Sequence, residues 1–414
     1  MASRDLFRAL EIPDYRLLFF GSLAASFAMN MQIMARGWLV YQLTGSEMDL
    51  SYVTLSFMIP TVLFSLWGGV LADSYPKRPL IVIGQTLNAL ATLAMAIIIY
   101  TERVTFSDFI WFGFFNGTVL ALSMPARQAF VPELVPDRLI LTATSLNTSG
   151  WNFARIVGPA LAGMLIAFVA DGDERSYFGV AVVYFVMFSL YLVSAVSMGL
   201  LSRRGEVHPR NGNALGEVLG AFRYIRANPP VLGLLVLSVI PFLFGMPLNT
   251  LLPAFNHDIL GGGADDLGYL ISAMGTGAII GSLYTAGLEG LKRKGFWVVV
   301  TCIGWGLATS AFGLAGSVVI GLIAILVVGL LSSVNSSLNR GVLQVQVEPA
   351  MRGKILSIDM MSHGLMPLGL MPISYIAENW GVSVALVASG AFFVLLVLLS
   401  MVLVPAVKHI LRSV

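Results

Sequence analysis

Charged side chains are rare inside the apolar stretches of this chain, so each one that occurs there is a candidate for chemistry. Arg155 is the deepest, because it lies 17 residues after Arg138 and 16 residues before Asp171. If that stretch crosses a membrane, the guanidinium lies near the middle, where an ionised group is costly and normally faces the protein interior. Three roles stay open: binding an anionic part of a ligand, changing partners during a conformational cycle, or structural bonds to Asn147, Asn152 or backbone carbonyls.

Carboxylates are scarce in the apolar stretches, and Asp359 best fits a group that gains and loses a proton. It lies five residues past Lys354, which is about 7.5 Å along a helix at about 1.5 Å per residue. His363, one helical turn later, is a candidate helper in a proton relay. The alternative is that Asp359 complements a helix dipole from the first turn and that His363 packs on a helix face.

Uncharged polar side chains could line a cavity. Gln32 precedes Arg36 by about one helical turn, so the two share a helix face. Arg36 could instead pair with Thr44, Glu47 or Asp49, or anchor the chain at the outer interface. Asparagines in apolar stretches either offer neutral hydrogen bonds to a ligand or hold helices together. The asparagines of this kind are Asn152, Asn249, Asn335 and Asn339.

The sequence gives no indication of metal or nucleotide chemistry. The four histidines are isolated and the single Cys302 lies in an apolar stretch, so no metal-ligand spacing occurs. Gly353-Lys354 lacks the upstream glycine and the downstream hydroxyl of a phosphate-binding loop. The chain also lacks the convergent ionisable groups of a membrane-embedded enzyme. We therefore predict no cofactor, no metal and no enzymatic activity.

Membrane helices must position these residues. Hydrophobic residues make up 57% of the 414-residue chain and charged residues 11%, with a mean hydropathy of +0.85, whereas soluble proteins carry about 25% charge. Crossing the hydrocarbon takes about 20 apolar residues, and backbone groups in lipid must bond internally. The predicted fold is an all-α integral membrane protein with twelve transmembrane helices. The predicted spans are 17–41, 50–72, 80–100, 109–124, 139–170, 177–201, 231–255, 267–288, 296–315, 318–338, 355–376 and 382–404.

The basic residues set the predicted orientation, because Lys and Arg are retained on the cytoplasmic side. With the N-terminus inside, all but four of the 24 Lys and Arg residues fall in cytoplasmic segments, among them Arg127 and Arg340. The exceptions are Arg36, Arg103, Arg155 and Arg175. Both termini are therefore predicted to be cytoplasmic.

The longest polar connection divides the predicted spans six and six. We predict a six-helix bundle at 1–201, a cytoplasmic linker with an amphipathic helix at 202–230, and a second six-helix bundle at 231–414. The halves resemble each other: the segment VPDR at 135–138 corresponds to EPAMR at 348–352, and Asn147 corresponds to Asp359. Two pseudo-symmetric bundles with a substrate site between them are typical of secondary transporters.

The turn after the second predicted span contains Gly69, Asp73, Lys77 and Arg78. This spacing resembles the loop between helices 2 and 3 of the major facilitator superfamily. By that resemblance the four residues would form a conformational latch at the cytoplasmic ends of the two halves. For Lys77 and Arg78 the alternative is a charge that only sets the orientation of the chain.

Other segments resemble exporters within that superfamily. Gly158, Pro159 and Gly163 resemble part of the Gly-Pro motif on helix 5 of its antiporters. Segments 37–46 and 125–135 are similar to bacterial exporters of the enterobactin and macrolide type. These resemblances imply outward transport across the bacterial cytoplasmic membrane by a multi-pass protein.

We therefore predict a secondary active transporter that exports a small amphiphilic or hydrophobic organic molecule, drug-like or siderophore-like, by alternating access and proton antiport. The predicted partners are this small molecule, H⁺ and the lipid bilayer, without nucleic acid, and the protein is predicted to be a monomer. Two alternatives remain open. One is a lysolipid translocase or uptake symporter of the same fold, and the other is a non-transporting membrane sensor.

Overall fold

The computed structural model describes residues 8–170, 177–207, 214–286, 293–348, 351, 355, 358–359 and 362–407. The regular structure in this part of the chain is helical, and it contains no β-strand. Its α-helices in chain order are α1 (Pro13–Thr44), α2 (Glu47–Ser74), α3 (Lys77–Tyr100), α4 (Phe106–Leu134), α5 (Ile140–Ala170), α6 (Tyr177–Gly199), α7 (Ala214–Ala227), α8 (Pro229–Phe244), α9 (Pro247–Asp258), α10 (Ala264–Ala286), α11 (Lys294–Gly313), α12 (Val318–Gln346), α13 (Met366–Trp380) and α14 (Val382–Leu403).

Local sequence explains several helix ends. α1 ends at Gly45, whose φ of 61° is a left-handed conformation that favours glycine, and whose N–H donates to Tyr41 O at 2.8 Å. α4 begins with a capping box in which the Thr105 N–H and hydroxyl both contact Asp108 Oδ2 at 2.8 Å.

The all-helical prediction is confirmed, and the described part contains eleven helical segments long and apolar enough to cross a membrane. They correspond to all predicted spans except 355–376. Of that span, the described residues comprise a few separate positions, a 3-10 turn at Ser362–Leu365 and then α13. α13 has 15 residues, fewer than the about 20 needed to cross alone. Twelve crossings therefore stay a prediction.

Two helices continue beyond the ends predicted for them. α4 runs to Leu134 instead of residue 124, and α12 runs to Gln346 instead of residue 338. Hydropathy ends a span at the first polar side chains, whereas the helical backbone continues as long as its own N–H and C=O groups pair. Arg127 and Arg340 consequently lie within helices rather than in the connections after them, and their cytoplasmic location stays a prediction.

The predicted span 231–255 is formed by two helices, α8 and α9, with a break at Gly245. Pro247 has no N–H to continue the ladder, and the Pro241 carbonyl accepts hydrogen bonds from Gly245 N at 2.8 Å and from the next residue at 3.0 Å. A Cβ at Gly245 would lie 2.9 Å from Trp305 Cζ2. The glycine therefore lets a tryptophan of α11 pack directly against the break.

The contacts divide the chain into two compact units. The first comprises Met1–Gly45, Tyr52–Asn211 and Gly263–Ser272, and the second comprises Ser46–Ser51, Gly212–Gly262 and Ala273–Val414. In the first unit α3 packs along α6, and α1 packs against α5 and α6. In the second, α11 packs against α12 and α14. The predicted domain boundaries and the arrangement as two six-helix bundles stay predictions.

Candidate functional site

The second unit contains a small polar cavity beside the α8–α9 break. Its volume is about 40 Å³, and its walls come from α8, α11, α12 and the segment before α13. Pro241 and Trp305 bring the break and α11 to its wall. The polar side chains that line it are Ser238, Trp305, Asn335, Ser336, Asn339, Arg340 and Asp359. The cavity therefore brings together three residues that the sequence singled out separately: Asn335, Asn339 and Asp359.

An ion pair spans this cavity. Arg340 Nε lies 3.8 Å from Asp359 Oδ2, and the side chains are 53% and 6% exposed. The carboxylate is thus nearly enclosed, while the guanidinium reaches toward the outside. An enclosed carboxylate is costly without a cation beside it. Arg340 therefore balances the charge of Asp359.

The two asparagines of α12 have different surroundings. Asn335 Nδ2 donates to Val298 O at 2.9 Å and contacts Thr301 Oγ1 at 3.0 Å and Cys302 Sγ at 3.1 Å, so this amide ties α12 to α11. Asn339 Nδ2 donates to Leu234 O at 3.2 Å. Its Oδ1 is buried and has no hydrogen-bond partner among the described residues. Asn335 is therefore structural, and Asn339 retains an acceptor for water or ligand.

The size of the cavity limits what it can hold. Small-molecule pockets usually measure about 300–1,000 Å³, whereas this one is about 40 Å³. It has room for water and protons but not for a drug-sized molecule. The site is therefore suited to charge exchange rather than to enclosing an organic substrate.

Arg340 was not a predicted site residue, although a sequence signal for it exists. Arg340 precedes Pro349 by the same interval by which Arg127 precedes Pro136, within the repeated segments 348–352 and 135–138. The two arginines are therefore counterparts in the two halves. Extending the comparison of the two halves to the residues before these repeated segments would have identified Arg127 and Arg340 as a pair.

Arg127 lines a cavity of about 20 Å³ in the first unit, together with Gln85 and Asn88 of α3 and Tyr191 of α6. Gln85 and Asn88 are 5% and 7% exposed, and Gln85 Oε1 and Asn88 Oδ1 have no partner within the described part of the chain. A cavity of this size holds about one water molecule. Water is the simplest ligand that would satisfy both acceptors beside the guanidinium.

The predicted pair Gln32 and Arg36 lies on α1 in the first unit. Gln32 is buried, and Arg36 Cζ lies 5.8 Å from the centroid of the Phe57 ring. This geometry is a cation–π contact. Within its unit, Arg36 therefore contacts an aromatic face.

Arg155 and Asn152 lie half-buried on α5. Within the described residues, Arg155 forms no hydrogen bond or ion pair, so the alternative of structural bonds to Asn147 and Asn152 has no support there. Asn147 Oδ1 is itself buried without a described partner.

Asn249 is exposed on α9, and its Nδ2 lies 3.4 Å from Met246 Sδ. His363 lies in the 3-10 turn before α13, and its side chain is outside the described part.

The Gly-Pro segment of α5 makes close helix contacts. A Cβ at Gly158 would lie 3.1 Å from Asn30 Cβ of α1, and a Cβ at Gly163 would lie 2.4 Å from Ala264 O. Similarly, a Cβ at Gly268 would lie 2.7 Å from the Pro159 carbonyl oxygen. These positions therefore let backbones approach closely.

The predicted latch residues make contacts within the first unit. Lys77 Nζ lies 2.7 Å from Glu133 Oε1 and also donates to Glu206 O. The Arg78 Nη2 donates to Gly199 O. Asp73 is half-buried and has no hydrogen bond or ion pair to any residue that the structure describes. Whether these residues also latch the two halves together stays a prediction.

A close helix contact in this region is made by Gly68, the residue before the predicted latch residue Gly69. A Cβ at Gly68 would lie 2.0 Å from Ala121 O of α4, whereas a Cβ at Gly69 would meet nothing within 4 Å. We expect Gly68→Ala to lower the free energy of unfolding by about 1–3 kcal/mol, as overpacking does, because α2 must move off α4. Gly69→Ala is the matched control and should be neutral or slightly stabilising. Thermal melting of both purified variants tests this, and equal melting temperatures would contradict it.

Comparisons with known proteins extend over nearly the whole chain. A family model described as transmembrane secretion effector matches residues 6–411. The staphyloferrin A transporter of Staphylococcus aureus is 26% identical over 373 residues, which cover 88% of this chain and 88% of that protein. The enterobactin exporter EntS of Shigella boydii serotype 4 is 25% identical over 360 residues, which cover 86% of this chain and 81% of that protein.

Solved transporter structures share the fold. The nucleoside transporter NupG superposes with a TM-score of 0.75 at 14% identity, covering 94% of this chain and 99% of NupG. A bacterial homolog of the human lysosomal transporter Spinster superposes with a TM-score of 0.70 at 13% identity, covering 97% of this chain and 96% of that one. At these identities the likeness concerns the fold alone.

Proposed function

Because the chain belongs to the transmembrane secretion effector family of the major facilitator superfamily, we propose that it exports a small, siderophore-like organic molecule by alternating access. The observation that carries this proposal is the near full-length similarity to two proteins named for siderophores, staphyloferrin A and enterobactin. The sequence predicted an amphiphilic or drug-like substrate, and the names of these relatives narrow that class to siderophores.

We propose that the protein is a monomer in a bacterial cytoplasmic membrane. In this proposal the chain crosses the membrane twelve times and both termini are cytoplasmic. The distribution of Lys and Arg supports the orientation, and eleven of the crossings have helices of suitable length and composition in the described part. In this setting the substrate enters from the cytoplasm and leaves on the other side.

Proton entry is the proposed driving force, with Asp359 as the proton carrier. Asp359 supports this role because it is nearly buried in a water-sized cavity and has Arg340 as its cation. In the proposed cycle Arg340 leaves the carboxylate when a proton binds and pairs with it again when the proton is released. Each inward charge across 100 mV supplies about 2.3 kcal/mol, so one or a few protons suffice for uphill export.

The substrate itself is proposed to contact residues outside the small cavities. Arg155 is the main candidate, because it is half-buried on α5 and has no described partner. Arg36 and Gln32 are secondary candidates. Asn249 is exposed, and Asn152 is half-buried beside Arg155 on the same helix. The tightly bonded Asn335 is the candidate whose contacts argue against substrate binding.

Transport in oriented vesicles tests the proposal. Inside-out proteoliposomes should accumulate enterobactin or staphyloferrin A when the lumen is acidic, because protons leaving the lumen drive substrate in. A gradient of about two pH units corresponds to about 2.7 kcal/mol, or about hundredfold accumulation for one proton. Accumulation only with the opposite gradient would indicate an uptake symporter. If a pH gradient moves neither enterobactin, nor staphyloferrin A, nor an amphiphilic dye, the proposed transport of such molecules is contradicted.

A further inference from the structure

The first unit has an open cavity where α3 begins and α6 ends. It measures about 390 Å³ and is lined by Arg78, Pro79, Val82, Gly199 and Arg204. This volume is in the usual range for small-ligand sites, about 300–1,000 Å³. It therefore differs in size and position from the two water-sized cavities.

Two arginines make the cavity cationic. The Arg78 N–H donates to Arg204 O at 3.0 Å, and its Nη2 donates to Gly199 O, so the backbone at the cavity mouth fixes this side chain. A guanidinium has five N–H donors, and most of those on Arg78 are not used by these bonds. The Arg204 side chain is exposed. The cavity thus presents fixed and adjustable donors suited to a phosphate group.

Apolar side chains continue from the cavity along the same two helices. On α3 the exposed side chains are Ile83, Leu87 and Leu90, at a spacing that places them on one face. On α6 they are Val193, Val196 and Leu200. Both helices are long and apolar enough to span the membrane, and they pack along each other. The cationic cavity therefore lies at the end of a hydrocarbon-facing surface.

We propose that this cavity binds the headgroup of an anionic phospholipid, with the phosphate between Arg78 and Arg204 and the acyl chains along α3 and α6. Basic pockets between membrane helices bind such headgroups. The combination of a cationic cavity large enough for a lipid headgroup and an adjacent apolar face favours a lipid over a soluble anion. This proposal rests on α3 and α6 crossing the membrane and is independent of the transported molecule.

Lipid retention by the full-length protein tests the proposal. Purified protein in detergent is titrated with phosphatidylglycerol or phosphatidylcholine, and bound lipids are counted by native mass spectrometry. The wild type should retain phosphatidylglycerol preferentially. Arg204→Gln should weaken this binding about fivefold, since one basic residue near a lipid surface contributes about that factor. Arg78→Gln combined with Arg204→Gln should weaken it more than about tenfold.

Arg103→Gln is the matched control, because Arg103 is exposed just beyond the opposite end of α3. It should bind phosphatidylglycerol like the wild type. If Arg78→Gln does not fold, Arg204→Gln alone decides, since the Arg204 side chain forms no hydrogen bond or ion pair with a described residue. Wild-type retention by Arg204→Gln would overturn the proposal. Displacement of phosphatidylglycerol by millimolar inorganic phosphate would also overturn it and indicate a soluble anion site.

Discussion

Asp359→Asn is expected to abolish the response of transport to a pH gradient while leaving substrate exchange without a gradient intact. The asparagine keeps the shape of the side chain but cannot carry a proton. The steady-state accumulation of substrate should fall about tenfold for each pH unit of the gradient, because about 1.4 kcal/mol of driving force per pH unit is no longer coupled. Proteoliposome transport with imposed pH gradients and, separately, an imposed potential measures it.

The control for this prediction is Asp265→Asn. Asp265 lies in the first turn of α10, where an acid complements the helix dipole, and this is the alternative role predicted for Asp359. It should transport like the wild type. If Asp359→Asn responds to the pH gradient at the wild-type rate, Asp359 is not the proton carrier.

Arg340→Gln separates the carboxylate from its cation. Loss of the cation leaves the nearly enclosed carboxylate without its partner, so the gradient-driven rate should fall while exchange without a gradient stays near the wild-type rate. The fall should be less than about fivefold, because the Arg340 side chain is 53% exposed and exposed ion pairs contribute about 0–1 kcal/mol. A gradient-driven rate equal to that of the wild type would mean that Arg340 is not the partner of the proton carrier.

Lys77→Met is expected to be the most destabilising single change among the predicted latch residues. The Lys77 and Glu133 side chains are 4% and 21% exposed and form an ion pair of 2.7 Å. Glu133 Oε2 also accepts a hydrogen bond from Glu206 N at 2.9 Å, and its carbonyl accepts one from Arg203 Nη1 at 2.7 Å. Removal of the ammonium leaves a largely buried carboxylate without its cation, which costs about 3 kcal/mol or more.

Denaturation of the detergent-solubilised protein measures this effect. Lys294→Met is the matched control, because Lys294 is the repeat counterpart of Lys77, also begins a helix, and has no ion pair in the described part. It should change the free energy of unfolding by less than about 0.5 kcal/mol. Combining Lys77→Met with Glu133→Leu should recover part of the loss, because both charges are then gone. A loss for Lys77→Met no larger than for the control would show that the pair does not stabilise the fold.

The sequence alone determined the helical membrane fold. Long apolar stretches with few charges must form helices in lipid, because no water is present there to pair with free backbone groups. For the same reason the rare polar residues in those stretches, such as Asp359, Asn339 and Arg155, could be identified as candidates. Such residues are recognisable because few polar side chains occur in the apolar stretches, and their exact surroundings need not be known.

Only the tertiary structure decided which residues meet. Asp359 pairs with Arg340, Lys77 with Glu133, and Arg36 with the Phe57 ring, and Gly68 rather than Gly69 contacts α4. Each partner belongs to a different helix, and one residue changes the facing direction by about 100°. Which side chains face one another therefore depends on how each helix is rotated against its neighbours. That rotation is set by the packing of the whole unit, and it cannot be predicted from hydropathy and residue spacing along one helix.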